Sequence, residues 1–171
     1  LVTIQRSKGY QTRPSFSVSQ IGELIAFVKS IKPDVICMVD NCYGEFVETI
    51  EPSDVGADMV VGSLIKNPGG GLAPIGGYIA GRKDLIDNCG YRLTSPGLGK
   101  EVGASLGVMQ SFFQGLFPGT DCDSRCFKRS HLCSKHLRKI RLQCHSKWYG
   151  EPPRYYSGSR TWNTGRCHRI L

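Results

Sequence analysis

The first 117 residues of this 171-residue chain predict an α/β domain built on a mainly parallel sheet. Short, continuous apolar runs, typical of strands buried on both faces, alternate with segments of helical periodicity. Hydrophobic residues make up 40% of the chain and charged residues 21%, a globular composition that excludes collagen, low-complexity disorder and disulfide-rich miniproteins. We therefore expect one domain in which helices flank the sheet.

The predicted elements begin with a strand that ends before Arg6. A helix begins near Gln20, where Ser17 or Ser19 can cap it, and its apolar residues recur at helical spacing until Pro33 ends it. Residues 35–39 then form a continuous apolar run that predicts a buried strand.

Two more strands and two more helices complete the prediction. Apolar runs at 59–61 and 78–80 predict strands, and residues 82–93 predict a helix between loops. A further helix is expected over 100–117, opened by the glycine turn 95–99. Strands that alternate with helices favour a parallel sheet.

Three side chains with useful chemistry follow the predicted strands. Asp40 ends one buried strand, Ser63 ends the next, and Lys66 lies 26 residues after Asp40. The carboxyl ends of parallel strands line the ligand crevice, so these side chains are expected there. A lysine beside an apolar strand end can lose hydration, which lowers its pKa and makes it a usable nucleophile.

These residue types match what proteins supply to pyridoxal phosphate. Lys66 would be the Schiff-base lysine, Asp40 the partner of a cationic ring nitrogen, and Ser63 with the following glycine amides a phosphate cup. On spacing alone, an exposed lysine in a glycine turn and an aspartate that caps a loop explain the pattern equally well.

Longer motifs carry a family resemblance. The runs VDN (39–41), GADMVV (56–61) and SLIK (63–66) resemble the core of fold-type I pyridoxal-phosphate enzymes of the cysteine and methionine metabolism group. The runs IQRSKGY (4–10), VDNCYGEF (39–46), KNPGGG (66–71) and TSPGLGKEVG (94–103) resemble the methionine gamma-lyase-like proteins often called aluminium resistance proteins. The resemblance covers residues 1–117 and implies part of the fold-type I large domain.

The resemblance implies a role for each residue at the strand ends. Lys66 would bind the cofactor covalently and later move the substrate's α-proton, Asp40 would keep the ring nitrogen protonated, and Ser63 would bind the phosphate. Gly97 and Gly99, at the start of the predicted helix, would offer amides to an anion, although a simple helix-entry turn explains them equally well.

Other polar residues are weaker candidates for contacts with the cofactor or the substrate carboxylate. Four follow the first strand and could instead belong to a solvated loop, which we slightly favour: Arg6, Ser7, Tyr10 and Arg13. Tyr43 and Glu45 follow Asp40 closely and are expected to line the pocket.

The implied activity is that of a carbon–sulfur lyase that acts on a small sulfur-containing amino acid by β- or γ-elimination. The resemblance further implies a homo-oligomer, a dimer or tetramer, and flanking segments that this chain lacks, so we expect an inactive fragment. Cys37, Cys42 and Cys89 show no metal-ligand spacing, and reduced thiols suit a cytoplasmic protein. No apolar stretch of about 18 residues predicts a membrane span.

Residues 118–171 differ sharply from the rest. From residue 121 onward the chain holds 12 Lys and Arg against 3 Asp and Glu, and it has no alanine, valine or methionine. Back-translation with free choice of synonymous codons, shifted by one base after Phe117, gives a sequence without stops that resembles the C-terminal domain of the same subfamily. We interpret 118–171 as an out-of-frame translation, in which case no nucleic-acid partner is expected.

Other interpretations of this tail stay open. It could be a zinc site or a basic nucleic-acid surface, although its spacings match no common zinc pattern; the residues concerned are Cys122, Cys126, Cys133, Cys144, His131, His136, His145, Trp148, Tyr155, Tyr156 and Trp162. The whole chain could also be the product of a pseudogene without function.

Overall fold

A single four-stranded sheet organises the protein in the computed structural model, which describes residues 1–103 and 107–119. The strands lie side by side in chain order: β1 (Val2–Gln5), β2 (Cys37–Asp40), β3 (Met59–Ser63) and β4 (Gly77–Gly81). β1, β2 and β3 are parallel, and β4 runs antiparallel to β3. The prediction of an α/β fold with a mainly parallel sheet is confirmed.

Helix α1 (Val18–Ile31) connects β1 to β2 and begins at the predicted cap. The Ser17 hydroxyl accepts a hydrogen bond from the Gln20 backbone amide at 3.2 Å, and the Gln20 side-chain oxygen accepts one from the Ser17 amide at 3.0 Å. This reciprocal capping box satisfies two amides of the first turn. Ser17, rather than Ser19, is therefore the cap, and the helix ends just before Pro33.

The hydrophobic core lies between α1 and the first two strands. Ile21 and Ile25 of α1 pack against Ile4, Cys37 and Val39 of the sheet, and each of these residues is at most 8% exposed. Burial of such a side chain contributes about 1.5–3 kcal/mol. This contact fixes α1 across β1 and β2 and holds the strand ends in place.

The exposed side of α1 next to the core-facing residues also carries apolar side chains. Leu24, Phe27 and Ile31 are exposed by 37%, 65% and 71%, and they recur at helical spacing along one side. A stripe of this kind is typical of a surface that another element covers.

The predicted helices at the C-terminal side are confirmed in one case and wrong in the other. Helix α2 (Lys83–Leu93) matches the prediction. The helix expected over 100–117 instead covers 109–119, and residues 94–103 form turns. Gly97, Gly99 and Gly103 have φ of 88°, 55° and 69°, a left-handed conformation that does not continue a right-handed helix.

Asp58 closes the amino end of the sheet. Its buried carboxylate accepts a hydrogen bond from the Cys37 amide at 2.9 Å and pairs with Lys29 at 2.9 Å and Arg82 at 3.4 Å. Burial alone would raise the pKa of Asp58, but the Cys37 amide and the two cations outweigh it and lower that pKa. The carboxylate thus ties together α1, β2 and the segment after β4.

In the part of the chain that the structure describes, no helix has the length and apolar character to cross a membrane. Residues 120–171 lie outside the described residues, and so do all the cysteines, histidines and aromatic residues named above for the zinc and nucleic-acid interpretations.

Candidate functional site at the carboxyl edge of the sheet

The structure brings the three predicted strand-end residues to one edge of the sheet. Asp40 is the last residue of β2 and pairs with Val61 of β3, so Ser63 lies two residues further along the neighbouring strand. Adjacent strands lie about 4.8 Å apart. The Lys66 amide donates to the Ser63 carbonyl at 3.3 Å, which places the lysine in the turn directly after β3.

Asp40 is half-buried, and its carboxylate is hydrogen-bonded to the loop that follows it. One carboxylate oxygen accepts a hydrogen bond from the Cys42 amide at 3.1 Å. Burial, together with the Asp40 carboxylate, raises the pKa of the Cys42 thiol to about 11. Cys42 therefore stays a protonated thiol near neutral pH and is not a competing nucleophile.

The glycine run after Lys66 forms a compact turn. Ser63 is half-buried, and its hydroxyl donates to the Gly76 carbonyl at 3.4 Å. In the short 3-10 turn Asn67–Gly69, the Gly69 amide donates to the Lys66 carbonyl at 3.0 Å and the Gly70 amide to the Asn67 carbonyl at 3.2 Å. These two amides are thus used inside the turn, and the phosphate-binding role of Ser63 and the remaining glycine amide stays a prediction.

The glycines of this turn instead permit close packing. A side chain at Gly69 or Gly70 would collide with backbone atoms, the latter with the Gly115 carbonyl of helix 109–119. A side chain at Gly119 would likewise approach the Asn67 carbonyl closer than 3.0 Å. The turn after Lys66 therefore lies directly against the backbone of this helix.

The Lys66 ammonium contacts an aromatic ring. Its Nζ lies 5.0 Å from the centroid of the Tyr43 ring. Tyr43 raises the pKa of Lys66 by a hydrogen bond from the ammonium and by the negative charge of its ionised ring oxygen, and burial opposes this less strongly. Burial thus acts in the expected direction, but the expected net lowering of the Lys66 pKa is wrong, because Tyr43 stabilises the charged form more strongly.

Arg6 is buried, so its assignment to a solvated loop is wrong. It is 3% exposed, and its guanidinium donates to the Asn41 side chain at 2.7 Å, the Gly44 carbonyl at 2.9 Å and Glu48 at 2.7 Å. Glu51 lies 3.6 Å from the same guanidinium. A buried charge needs such partners, and here they fix the loop that follows Asp40.

Sequence reasoning missed most of this polar cluster. Glu51 accepts hydrogen bonds from the Asn41 side chain at 2.9 Å and the Phe46 amide at 3.1 Å. Burial nevertheless raises the pKa of Glu51. Its partners come from separate segments of the chain, and no local motif signals that they meet.

Glu45 lies beneath the site and joins the loop to two other elements. It is 4% exposed and accepts a hydrogen bond from the Tyr78 hydroxyl at 2.9 Å. Burial, and then the Glu45 charge, raise the pKa of Tyr78. The Asn67 side chain donates to the Glu45 carbonyl at 3.0 Å, so the loop is attached to the segment that carries Lys66. A side chain at Gly62 would collide with both Glu45 and Tyr78.

Of the other candidates in the first loop, Arg13 is bound to its own loop and Tyr10 is exposed to solvent. Arg13 folds back on its own loop and donates to the carbonyls of Gln5, Ser7 and Pro14. Tyr10 is fully exposed. Contacts of these residues with a cofactor or substrate stay predictions.

Gly97 and Gly99 do not lie at a helix start, contrary to the prediction. Both belong to the turns after α2, and the Gly99 carbonyl accepts a hydrogen bond from the Thr94 hydroxyl at 2.8 Å. Helix 109–119 begins ten residues beyond Gly99. A helix dipole therefore lends them no affinity for an anion.

Metal ligands are not clustered in the described part of the chain. Within residues 1–103 and 107–119, no group of three or more His, Cys, Asp or Glu side chains could hold a metal ion. Cys37, Cys42 and Cys89 are free thiols.

Comparison with known proteins supports the motifs. The family model described as methionine gamma-lyase matches residues 1–153. The chain is 51% identical to the uncharacterized protein YnbB of Bacillus subtilis over 148 residues, which is 86% of this chain and 35% of YnbB. It thus spans about a third of that relative's length. The match continues past residue 117, and our interpretation of residues 118–171 stays a prediction.

Solved structures share the fold. A candidate cystathionine beta-lyase involved in aluminum resistance from Listeria innocua is 53% identical, with a TM-score of 0.79 over 82% of this chain and 35% of that one. A carbon-sulfur lyase involved in aluminum resistance from Clostridium novyi NT is 46% identical, with a TM-score of 0.80 over 88% of this chain and 35% of that one. The strand-end motifs, the sheet and these likenesses agree, and the chain belongs to the methionine gamma-lyase family.

Proposed function

We propose that this chain is part of a pyridoxal-phosphate-dependent carbon–sulfur lyase of the fold-type I class. Its substrate would be a small sulfur-containing amino acid, cleaved by β- or γ-elimination. The single observation that carries this proposal is the position of Asp40, Ser63 and Lys66 at one edge of two neighbouring parallel strands. The names of the two solved relatives, a candidate cystathionine beta-lyase and a carbon-sulfur lyase, agree with it.

The donor set at this edge fits the cofactor. The Lys66 amine can bind an aldehyde carbon, the Asp40 carboxylate can pair with a protonated ring nitrogen, and the Ser63 hydroxyl can donate to a phosphate oxygen. When bound, pyridoxal phosphate supplies an electron sink for the negative charge that develops at the substrate's α-carbon.

The protein residues would then divide the remaining tasks. The Lys66 amine would take the proton from the substrate's α-carbon and hold it for return to the product. Asp40 keeps its negative charge beside the ring nitrogen and so holds a proton there. Lys66 must release its own proton before it binds the cofactor or takes a proton from the substrate, because only a neutral amine acts as nucleophile or base.

Covalent trapping on Lys66 tests the proposal. The full 171-residue chain is incubated with pyridoxal phosphate, reduced with borohydride and analysed by peptide mass spectrometry. We expect the pyridoxyl group on Lys66 and its complete loss from that peptide in Lys66→Ala. Lys83→Ala is the matched control, because Lys83 is 89% exposed and lies on α2. Equal total labelling of the Lys66→Ala and wild-type chains would contradict a specific role for Lys66.

We further propose that the active enzyme is an oligomer and that this chain alone turns over little substrate. The exposed apolar stripe of α1 supports this proposal, because Leu24, Phe27 and Ile31 have no cover among the described residues. Steady-state assay of the purified chain with a range of sulfur-containing amino acids tests it, and turnover by a monomer would contradict it.

The out-of-frame interpretation of residues 118–171 is also a proposal. The abrupt change in charge and aliphatic content supports it. Resequencing of the coding DNA across Phe117 and Pro118 tests it: one surplus or missing base would support the interpretation. A confirmed frame would refute it and direct attention to zinc and nucleic-acid binding by the tail.

A further inference from the structure

Tyr43 and Lys66 meet at the open side of the site. The 5.0 Å from the lysine Nζ to the ring centroid lies within the reach of about 6 Å over which a cation is attracted to an aromatic face. Tyr43 is 52% exposed, and Lys66 is half-buried. The contact therefore lies at the surface of the site and is not part of the hydrophobic core.

The backbone holds Tyr43 in this position against its local preference. Its φ is 67°, in the left-handed region that residues other than glycine rarely adopt. The Arg6 guanidinium donates to the carbonyl of the next residue, Gly44, at 2.9 Å, and Asn67, the neighbour of Lys66, donates to the Glu45 carbonyl. Surrounding contacts thus enforce a conformation of a kind that clusters at functional sites.

Titratable groups around Lys66 act in one direction. The Tyr43 hydroxyl has the largest effect, and Cys42 and Tyr10 add smaller effects of the same sign. All three raise the pKa of Lys66; burial lowers it by less than Tyr43 raises it, so the net change is upward. The surroundings of the lysine therefore favour its ammonium form.

We propose that Tyr43 is a positioning residue for Lys66: its ring and hydroxyl hold the ammonium group at the mouth of the site until an aldehyde ligand arrives. The inference rests on the proposed role of Lys66 as the lysine that binds the cofactor. Before the nitrogen–carbon bond forms, the ammonium must pass one proton to solvent, which leaves the nitrogen lone pair free. Each unit by which the pKa of Lys66 falls raises the fraction of neutral amine about tenfold at neutral pH.

Competitive labelling of individual lysines tests the inference without any cofactor. The full chain is treated with trace acetic anhydride from about pH 7 to about pH 11, around the ordinary lysine pKa of about 10.4, and peptide mass spectrometry gives a titration curve for each lysine. We expect Tyr43→Ala to lower the pKa of Lys66 toward the ordinary lysine value and Tyr43→Phe to lower it less. Tyr91→Phe, a change at another exposed tyrosine, should have no effect.

The outcomes separate this inference from the proposed function. An unchanged Lys66 titration in both Tyr43 variants would overturn the positioning role, even if pyridoxal phosphate is trapped on Lys66. A lowered pKa supports it, even if trapping fails. Tyr43→Phe decides the matter if Tyr43→Ala does not fold by far-ultraviolet circular dichroism, because it removes only the hydroxyl and retains the ring.

Discussion

The two ends of the sheet place their lysines in different surroundings. At the amino end, Lys29 pairs with the buried Asp58 carboxylate, which is also bound by Arg82 and the Cys37 amide. At the carboxyl edge, Lys66 contacts the exposed ring of Tyr43. At the amino end, the paired lysine helps to tie α1 to the strands. At the carboxyl edge, the buried ion pairs of Arg6 fix the loop, and Lys66 lies half-buried beside an exposed ring.

The largest effect on stability is expected at the amino end. Asp58→Ala removes the acceptor of two cations and one backbone amide, and it leaves the Cys37 amide and Lys29 without their partner. Breaking a buried pair on one side costs about 3 kcal/mol. Urea unfolding followed by circular dichroism should show this loss, whereas a change below about 1 kcal/mol would mean that Asp58 does not hold the strands together.

At the carboxyl edge the same kind of substitution should affect binding more than stability. Asp40→Asn retains the acceptor for the Cys42 amide, so the free energy of unfolding should change by less than about 1 kcal/mol. Loss of the negative charge beside the ring nitrogen should weaken pyridoxal phosphate binding about tenfold or more. Equilibrium titration of absorbance measures the affinity. A large loss of stability with unchanged affinity would contradict the proposal that Asp40 serves cofactor binding more than stability.

The smallest expected effect is an opposite response of two carboxylates, the buried Asp58 and the half-buried Glu51, to pH. The pKa of Asp58 lies below its ordinary 3.8 in the folded protein, so its stabilising contribution is present above that value and is lost as the pH falls through the folded pKa. The pKa of Glu51 lies above its ordinary 4.5. Its ionisation therefore costs stability as the pH rises above 4.5 and through the folded pKa.

Urea midpoints measured against pH check these signs. Asp58→Asn should reduce the rise in stability with pH on the acid side, and Glu51→Gln should reduce the fall in stability above the ordinary glutamate range. If each substitution instead changes the urea midpoint by the same amount at every pH, the pKa of neither carboxylate changes on folding.

Much of the fold could be predicted because its signals are local. Ser17 and Gln20 form a cap within four residues, Pro33 follows the helix end, and the apolar runs before Asp40 and Ser63 are long enough to identify buried strands. The alternation of strands and helices then predicts parallel neighbours, and parallel neighbours bring their carboxyl ends together. The positions of Asp40, Ser63 and Lys66 at one edge follow from these local facts.

The remainder depends on contacts between distant segments. Arg6 looks like a loop residue in sequence, yet its partners lie about forty positions away, in the loop after Asp40. The glycines at 97 and 99 resemble a helix entry, but their left-handed conformation extends the turns to the start of helix 109–119. The pKa of Lys66 depends on its contact with Tyr43. The Tyr43 ring makes this contact from a left-handed backbone conformation, which a tyrosine rarely adopts.

The contact between the glycine turn and helix 109–119 has a mechanical consequence. Two backbones touch there at Gly70 and Gly115 without a side chain between them, so there is no flexible group that could absorb a displacement. The helix and the turn that follows Lys66 should shift as one body. Amide hydrogen exchange in the two segments should accordingly speed up or slow down together, and a small push on the helix would be transmitted to the lysine almost undiminished.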